Sequence, residues 1–260
     1  MIVASSKAPA RCSSLSSLTR CPGFWTLAQV DDGEHGSAAN TGSAVGRGVE
    51  LWHGGYTLGD ALARVEAEAS EKFPFADFDA VRRMVRNYTR DERNGPTAAG
   101  HCELEVRLVL DPDPSDTTGE PIHLVGHVDQ IRRGPDGRLR VWDLKCGRPS
   151  GLELLYSYAW QLAAYALASS ATLGEPVYPG GIIRGRAYDY ADGGKSRGAQ
   201  DPSVVHAFYE SPWSLEECRI LLGSVRYHVA RLREGLVLLH PGPHCQWCPG
   251  VNPAACQSRF

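Results

Sequence analysis

Between Ile122 and Tyr165 the chain alternates apolar and polar residues twice in the two-residue rhythm of a strand, then changes to the longer rhythm of a helix. The first run, IHLVGHVDQI, carries Asp129. Gly134-Pro-Asp-Gly137 reverses the chain, and a second run, LRVWDLKC, delivers Asp143 and Lys145. Side chains two apart on a strand share a face, so Asp143 and Lys145 point the same way. With the loop centred near Asp136, Asp129 falls opposite Asp143, and two carboxylates and an ammonium converge. A register centred half a residue earlier sends Asp129 to the other face. Two carboxylates held close together raise each other's pKa unless a cation lies between them. Oxygen ligands favour Mg²⁺ or Mn²⁺ in that place.

The same periodicities set the order of the remaining elements. Residues 1–12 are expected as a disordered leader, followed by a helix from Ser13 to Val30 that the Cys21-Pro-Gly sequence breaks or kinks. Further helices are predicted over Ala38–His53, Thr57–Lys72 and Asp77–Asn94. A strand over Cys102–Leu110 precedes the two strands already described, and a long helix over Leu152–Ser170 follows them. Val177–Tyr190 and Val204–Tyr209 read as strands around a Gly-rich loop. Ser214–Glu234 reads as a last helix with Ser214 and Glu217 as a capping box. Helices, antiparallel strands, a helix and more strands make a single α/β domain with a helical N-terminal portion.

Composition narrows the function. With 27 basic and 30 acidic side chains the net charge is −3, so contact with nucleic acid needs a local basic patch, not a global field. Arg82, Arg83, Arg86 and Arg90 lie along adjoining faces of one predicted helix, as a solvated face or as a phosphate-contacting patch. There is no apolar run long enough for a membrane span and no signal-peptide core, so a cytoplasmic protein is expected. Eight cysteines are many for a reducing compartment and point to metal.

Gly-His-Val-Asp129, Trp-Asp143-Leu-Lys145 and Gln161-Leu-Ala-Ala-Tyr165, in that order, resemble the PD-(D/E)XK nuclease superfamily and, within it, the RecB-like exonuclease branch. The resemblance implies a restriction-endonuclease-like core, a central mixed sheet flanked by helices, spanning residues 13–260. It implies a divalent ion, Mg²⁺ or Mn²⁺, on Asp129, Asp143 and the backbone carbonyl of Leu144. Lys145 would orient the attacking water. Gln161 would support the metal–water network, and Tyr165 would contact DNA or buttress Lys145. Similar proteins trim DNA ends, single- or double-stranded, in recombination, repair, phage replication or CRISPR adaptation, often beside a helicase, recombinase or other replication or repair protein. A bacterial or phage-infected cell is the setting this implies.

The tail contains Cys245-x-x-Cys248 and then Cys256, the spacing of a metal knuckle that needs a fourth ligand. Cys21 is the best candidate and Cys12 the weakest. Spacing alone leaves structural Zn²⁺, with His244 as a possible ligand, and an iron–sulfur centre both open. The resemblance implies a 4Fe–4S cluster on Cys21, Cys245, Cys248 and Cys256 that ties the chain ends together. Cys102, Cys146 and Cys218 read as buried apolar fillers.

One feature departs from the family pattern. RecB-like members carry a histidine ligand on an early helix, and Gly46 stands at that place here. His53 lies about 10 Å further along the axis and cannot substitute. Glu50, Glu105 and His127 are the candidates for a replacement or supporting ligand, and Glu103 shares the strand of Glu105. The loss leaves two explanations: a rearranged active site, or a catalytically weakened DNA-binding or scaffold module. A zinc-stapled site-specific restriction enzyme is a third reading.

Overall fold

The computed structural model describes residues 10–21, 37–146, 155–185, 189–190, 196–197 and 206–236. Its centre is a six-stranded mixed sheet. The strands are β1 (Ala10–Arg11), β2 (His101–Leu110), β3 (Ile122–Arg133), β4 (Leu139–Cys146), β5 (Val177–Gly185) and β8 (His206–Glu210). The order is β1-β3-β4-β5-β8, with β2 also on β3. The pairs β2/β3, β3/β4 and β5/β8 are antiparallel, whereas β1/β3 and β4/β5 are parallel. β6 (Asp189–Tyr190) and β7 (Ser196–Arg197) form a separate two-stranded ribbon. The helices are α1 (Leu15–Arg20), α2 (Ser37–His53), α3 (Leu58–Ala67), α4 (Ala69–Lys72), α5 (Phe78–Arg90), α6 (Ala159–Leu173) and α7 (Leu215–Arg233). Among the described residues, no helix is long and apolar enough to cross a membrane.

Two apolar cores sandwich the sheet. Beneath α6, α7 and α1, residues such as Leu15, Leu124, Ile131, Leu162 and Leu222 are buried together. On the other face α2, α3 and α5 bury Val45, Val65 and Val85 against Trp142 and Ile183. A polar network pins this second layer to β3. The Arg132 guanidinium donates to Asn94 Oδ1, Tyr88 Oη and Gln130 Oε1, and His53 Nε2 lies 2.6 Å from the Tyr88 hydroxyl. Saturating a buried guanidinium with neutral acceptors offsets the cost of burying it. The network also fixes where α2 lies over the sheet.

The hairpin register follows the turn. Gly134 and Gly137 close it with backbone hydrogen bonds, Gly137 has φ 77°, and Asp136 grips Arg140 through both carboxylate oxygens at 2.6 and 2.7 Å. Gln130 pairs with Trp142 and Arg133 with Leu139, so the next step of the ladder sets Asp129 beside Asp143. This is the register centred on Asp136. On β5, Gly180 and Gly181 make a bulge. Gly181 has φ 143°, and a Cβ there would strike the Tyr209 carbonyl, so glycine is required.

Several boundaries differ from the sequence-based expectation. Residues 10–12, expected in the leader, are ordered: Ala10–Arg11 forms β1, and Cys12–Ser14 is a 3₁₀ turn. The helix expected over Ser13–Val30 is only Leu15–Arg20, and Cys21 is already extended. A residue before proline is driven out of the helical region, and Pro22 imposes that here. Residues 22–36 lie outside the described ones. The Thr57–Lys72 helix divides at Glu68, and the strand from Val177 stops at Gly185, with Tyr190 on the separate ribbon. The α6 helix runs Ala159–Leu173 after a helical turn at 155–157. The Ser214–Glu217 capping box is present.

Candidate active site

The strand β3 has one edge covered by β2 along its length. Its other edge is shared, with β4 pairing at Gln130–Arg133 and β1 at Leu124–Val125. Between those two contacts β4 leaves β3, and the fork opens a cleft of about 1090 Å³. Asp129, Leu144, Lys145 and Tyr165 line it, with α2 as one wall through Gly42, Gly46, Arg47 and Glu50, and with β2 opposite through Glu103, Glu105 and Arg107.

Two of the expected groups contact Asp143, which is 1 % exposed. Gln161 Nε2 donates to Asp143 Oδ1 at 2.7 Å, and Lys145 Nζ lies 2.7 Å from Asp143 Oδ2. Asp129 is half-buried at the cleft surface, and its Oδ2 accepts the Leu144 N–H at 2.6 Å. Burial, and next to it the Asp143 charge, push the Asp129 carboxyl well above the usual carboxylate range. Burial likewise raises Asp143, with Lys145 opposing it. The ammonium of Lys145 is lost even less readily than usual, because the attraction of Asp143 and Asp129 outweighs its desolvation. Were both carboxyls ionised, the pair would carry more negative charge than one ammonium balances, which, with burial, is what raises them without a further cation.

A hydrated divalent ion suits the donors present. Two carboxylates and the Leu144 carbonyl are hard oxygen donors of the sort that hold Mg²⁺ while it keeps several waters. Among the described residues no group of three or more His, Cys, Asp or Glu side chains could hold a metal ion, so an ion in the cleft would rest on the two carboxylates, the Leu144 carbonyl and water. Gln161 Oε1 is buried without a hydrogen-bond partner, and an orphaned acceptor beside the pair matches a water of the ion's shell.

Tyr165 stays with the motif residues, lining the cleft beside Asp129 and Lys145. Tyr165 is buried, its ring against Gly126, where a Cβ would come within 2.8 Å of the ring and 3.2 Å of Cys12 Cβ. The ring that faces the Lys145 ammonium is that of Tyr158, at 4.7 Å from the centroid. Tyr158 thus adds a ring against Lys145 that the motif did not name, while Tyr165 lines the same cleft. The signal was present in the sequence, since Tyr158 precedes Gln161 by one helical turn.

On α2, a Cβ at Gly46 would meet nothing within 4 Å, so no group fills the space where a histidine was expected. Glu50 lines the cleft but is engaged by Arg47 at 2.7 Å. His53 contacts the Pro96 carbonyl and Tyr88, away from the carboxylates. Glu105 pairs with Arg107 at 2.8 Å and lies opposite His127. Glu103 lies across from Asp129 between the Cys102–Gln130 and Leu104–Val128 pairs, with φ 50°. Burial and then the nearby Glu50 raise its pKa. At this point β3 also breaks its alternation, because Val128 and Ile131, three apart, both enter the core under α6.

Arg82, Arg83, Arg86 and Arg90 are not brought to the site. Arg82 is bound to Glu66 and Asp79 on the outer helical layer, and the cations lining the cleft are Arg11, Arg47, Lys72, Arg107 and Lys145. Cys21 ends α1 and is buried, while Cys245, Cys248 and Cys256 lie outside the described residues. Cys12 and Cys218 are buried, but Cys102 and Cys146 are only half-buried.

A sequence model of the PD-(D/E)XK nuclease superfamily matches residues 12–253. No curated protein matches the chain. Among solved structures, the one described as the crystal structure of SSO0001 aligns with a TM-score of 0.36 and 14 % identity, over 84 % of this chain and 85 % of that one.

Proposed function

Because the chain belongs to the PD-(D/E)XK nuclease superfamily, we propose that it is a Mg²⁺- or Mn²⁺-dependent deoxyribonuclease of the RecB-like kind that degrades DNA from its ends. The observation that carries this reading is the junction of Asp129, Asp143, Lys145 and Gln161 at the fork of β3 and β4. Asp129, Asp143 and the Leu144 carbonyl would hold the ion. When bound, it supplies a polarised phosphate and a bound water of lowered pKa. Gln161 holds the Asp143 carboxylate in one orientation. Lys145, steadied by Asp143 and by the Tyr158 ring, stays protonated and offsets charge that develops on the phosphate oxygens. Gly46 removes one expected ligand without removing these four groups.

The test is digestion of end-labelled linear single- and double-stranded DNA with Mg²⁺ or Mn²⁺, beside Lys145→Ala. Progressive loss of ends by wild type only is expected. Discrete bands would favour a site-specific endonuclease. Metal-independent loss, or equal loss by the variant, overturns the assignment and leaves a DNA-binding or scaffold module.

For the cysteines we propose a 4Fe–4S cluster on Cys21, Cys245, Cys248 and Cys256. The Cys-x-x-Cys spacing and the burial of Cys21 support it. Anaerobically purified protein should be brown with stoichiometric iron, and a colourless protein with bound zinc rules iron out. A helicase or recombinase partner in a bacterial or phage-infected cytoplasm fits this reading, with repair, recombination or CRISPR adaptation as the setting.

A further inference from the structure

We propose that Arg11 and Arg107 together anchor one phosphate of the substrate strand that is not the phosphate being cut; this rests on the nuclease reading above. The two arginines come from opposite ends of the sequence logic but meet on one row of the sheet. Arg11 on β1 and Arg107 on β2 are both in register with Val125, from the two edges of β3. Their neighbours Ala10 and Val106 are buried in the core beneath α6, so strand alternation turns both arginines to the opposite face. Both line the cleft. Neighbouring strands are about 4.8 Å apart, which sets the two backbones roughly 10 Å from each other, with Val125 between. Two guanidinium groups reaching inward from that separation can share one group above Val125.

The charges on the row distinguish these cations from the others in the cleft. Arg47 is committed to Glu50 and Glu68, Lys72 to Glu68, and Lys145 to Asp143. Arg107 pairs with Glu105, but both side chains are largely exposed, at 77 % and 54 %, and such a pair is readily exchanged for a better anion. The backbone of Arg11 pairs with β3 and its carbonyl also accepts from the Ser14 hydroxyl; its guanidinium has no partner among the described residues. Acidic groups also face the cleft, with Glu103 and Glu105 on β2 and Asp129 further along β3, and His127 stands between them. A freely diffusing small anion gains little there. A polyanion whose next phosphate is held over the carboxylates gains both contacts at once.

From Val125 to Asp129 is four residues of strand, about 13 Å. The anchored phosphate is therefore a different one from the phosphate over the carboxylates, and it lies on the β1 side only. Guanidinium groups bind phosphate bidentately and without regard to base, so the contact sets register and grip, not sequence preference.

The experiment is fluorescence anisotropy of a labelled single-stranded oligonucleotide over a salt series, with Ca²⁺ in place of the catalytic ion, for wild type, Arg11→Ala, Arg107→Ala and the double variant. Arg219→Ala, on the remote surface of α7 beside Glu216, is the control. One shared phosphate predicts that the double variant lowers the slope of log affinity against log salt by about 0.7 in total. Each single variant should lose clearly less than that, because the remaining arginine still neutralises the same phosphate. With Mg²⁺ or Mn²⁺, KM should rise about five- to tenfold and kcat stay within about twofold, as for loss of a contact equal in ground and transition states. Unchanged slopes and KM in a wild type that binds and cuts DNA overturn the anchor alone. A loss of about 0.7 in each single variant, and about twice that in the double, means that each arginine holds its own phosphate, which overturns sharing. A wild type that neither binds nor cuts DNA takes down the nuclease reading and the anchor with it.

Discussion

Gln161→Leu removes one hydrogen bond and almost no volume. Gln161 Nε2 donates to Asp143 Oδ1 at 2.7 Å, with both side chains buried at 2 % and 1 % exposure. A hydrogen bond to a charged group is worth about 1.5–3 kcal/mol, or roughly 10- to 100-fold in an equilibrium. Loss of a partner that orients a metal ligand costs about 10- to 100-fold in metal affinity or activity, so the two estimates agree. The bond also favours the ionised carboxylate, so its removal pushes Asp143 further in the direction burial already takes it. The acid limb of the rate–pH profile should move to higher pH. The fold should hold, because leucine fills the space and the orphaned Gln161 Oε1 disappears with the donor. The assay is Mn²⁺ titration by calorimetry, paired with initial cleavage rates against Mn²⁺ concentration. The expected result is a Kd raised 10- to 100-fold on the scale just given, with part of the rate recovered at high Mn²⁺. A wild-type Kd together with a wild-type rate curve refutes the role of Gln161 in holding the carboxylate.

Lys145→Ala should lower kcat by about 10²- to 10³-fold while Mn²⁺ still binds, measured by single-turnover quench and by calorimetry; loss of binding instead would make the lysine structural. Asp129 carries a raised folded-state pKa, so between its ordinary value near pH 4 and the raised one the folded chain holds more protons than the unfolded. The stability of metal-free protein contributed by this group therefore falls as pH climbs from the ordinary carboxylate range towards neutrality. Asp129→Asn should flatten the dependence of Tm on pH over that window and abolish the stabilisation by Mn²⁺; a parallel curve would show that the carboxyl is not strained. Gly181→Ala forces a side chain into φ 143° against the Tyr209 carbonyl and should cost about 2 kcal/mol or more, roughly 4 °C or more in Tm. An unchanged Tm would mean that the bulge relaxes freely.

The centre of the site was readable because short-range rules governed it. A four-residue turn set the β3/β4 register, and alternation then brought Asp129, Asp143 and Lys145 to one place. Helix periodicity did the same for Gln161. What escaped depends on distant pairings. Two residues, Ala10–Arg11, add a strand to Leu124–Val125 far along the chain, and no local pattern marks so short a strand. The break of alternation near Glu103 and Asp129 escaped because the two strands change together and keep their register. The arginines of α5 read as a solvated face or as a phosphate-contacting patch; none of them lines the cleft, and Arg82 is committed to Glu66 across the helical layer. Tyr158 carries no motif signature, because the Gln–Tyr spacing runs the other way along the helix, and only the fold brings its ring to Lys145.

The claim on which the rest turns is that the carboxylates at 129 and 143 hold the divalent ion. Electron paramagnetic resonance of Mn²⁺ counts free and bound ion directly, in wild type and in Asp129→Asn and Asp143→Asn. Wild type should bind Mn²⁺ in the cleft, and each substitution should remove that binding while the circular dichroism spectrum stays native. Undiminished Mn²⁺ binding by both folded variants would contradict the account.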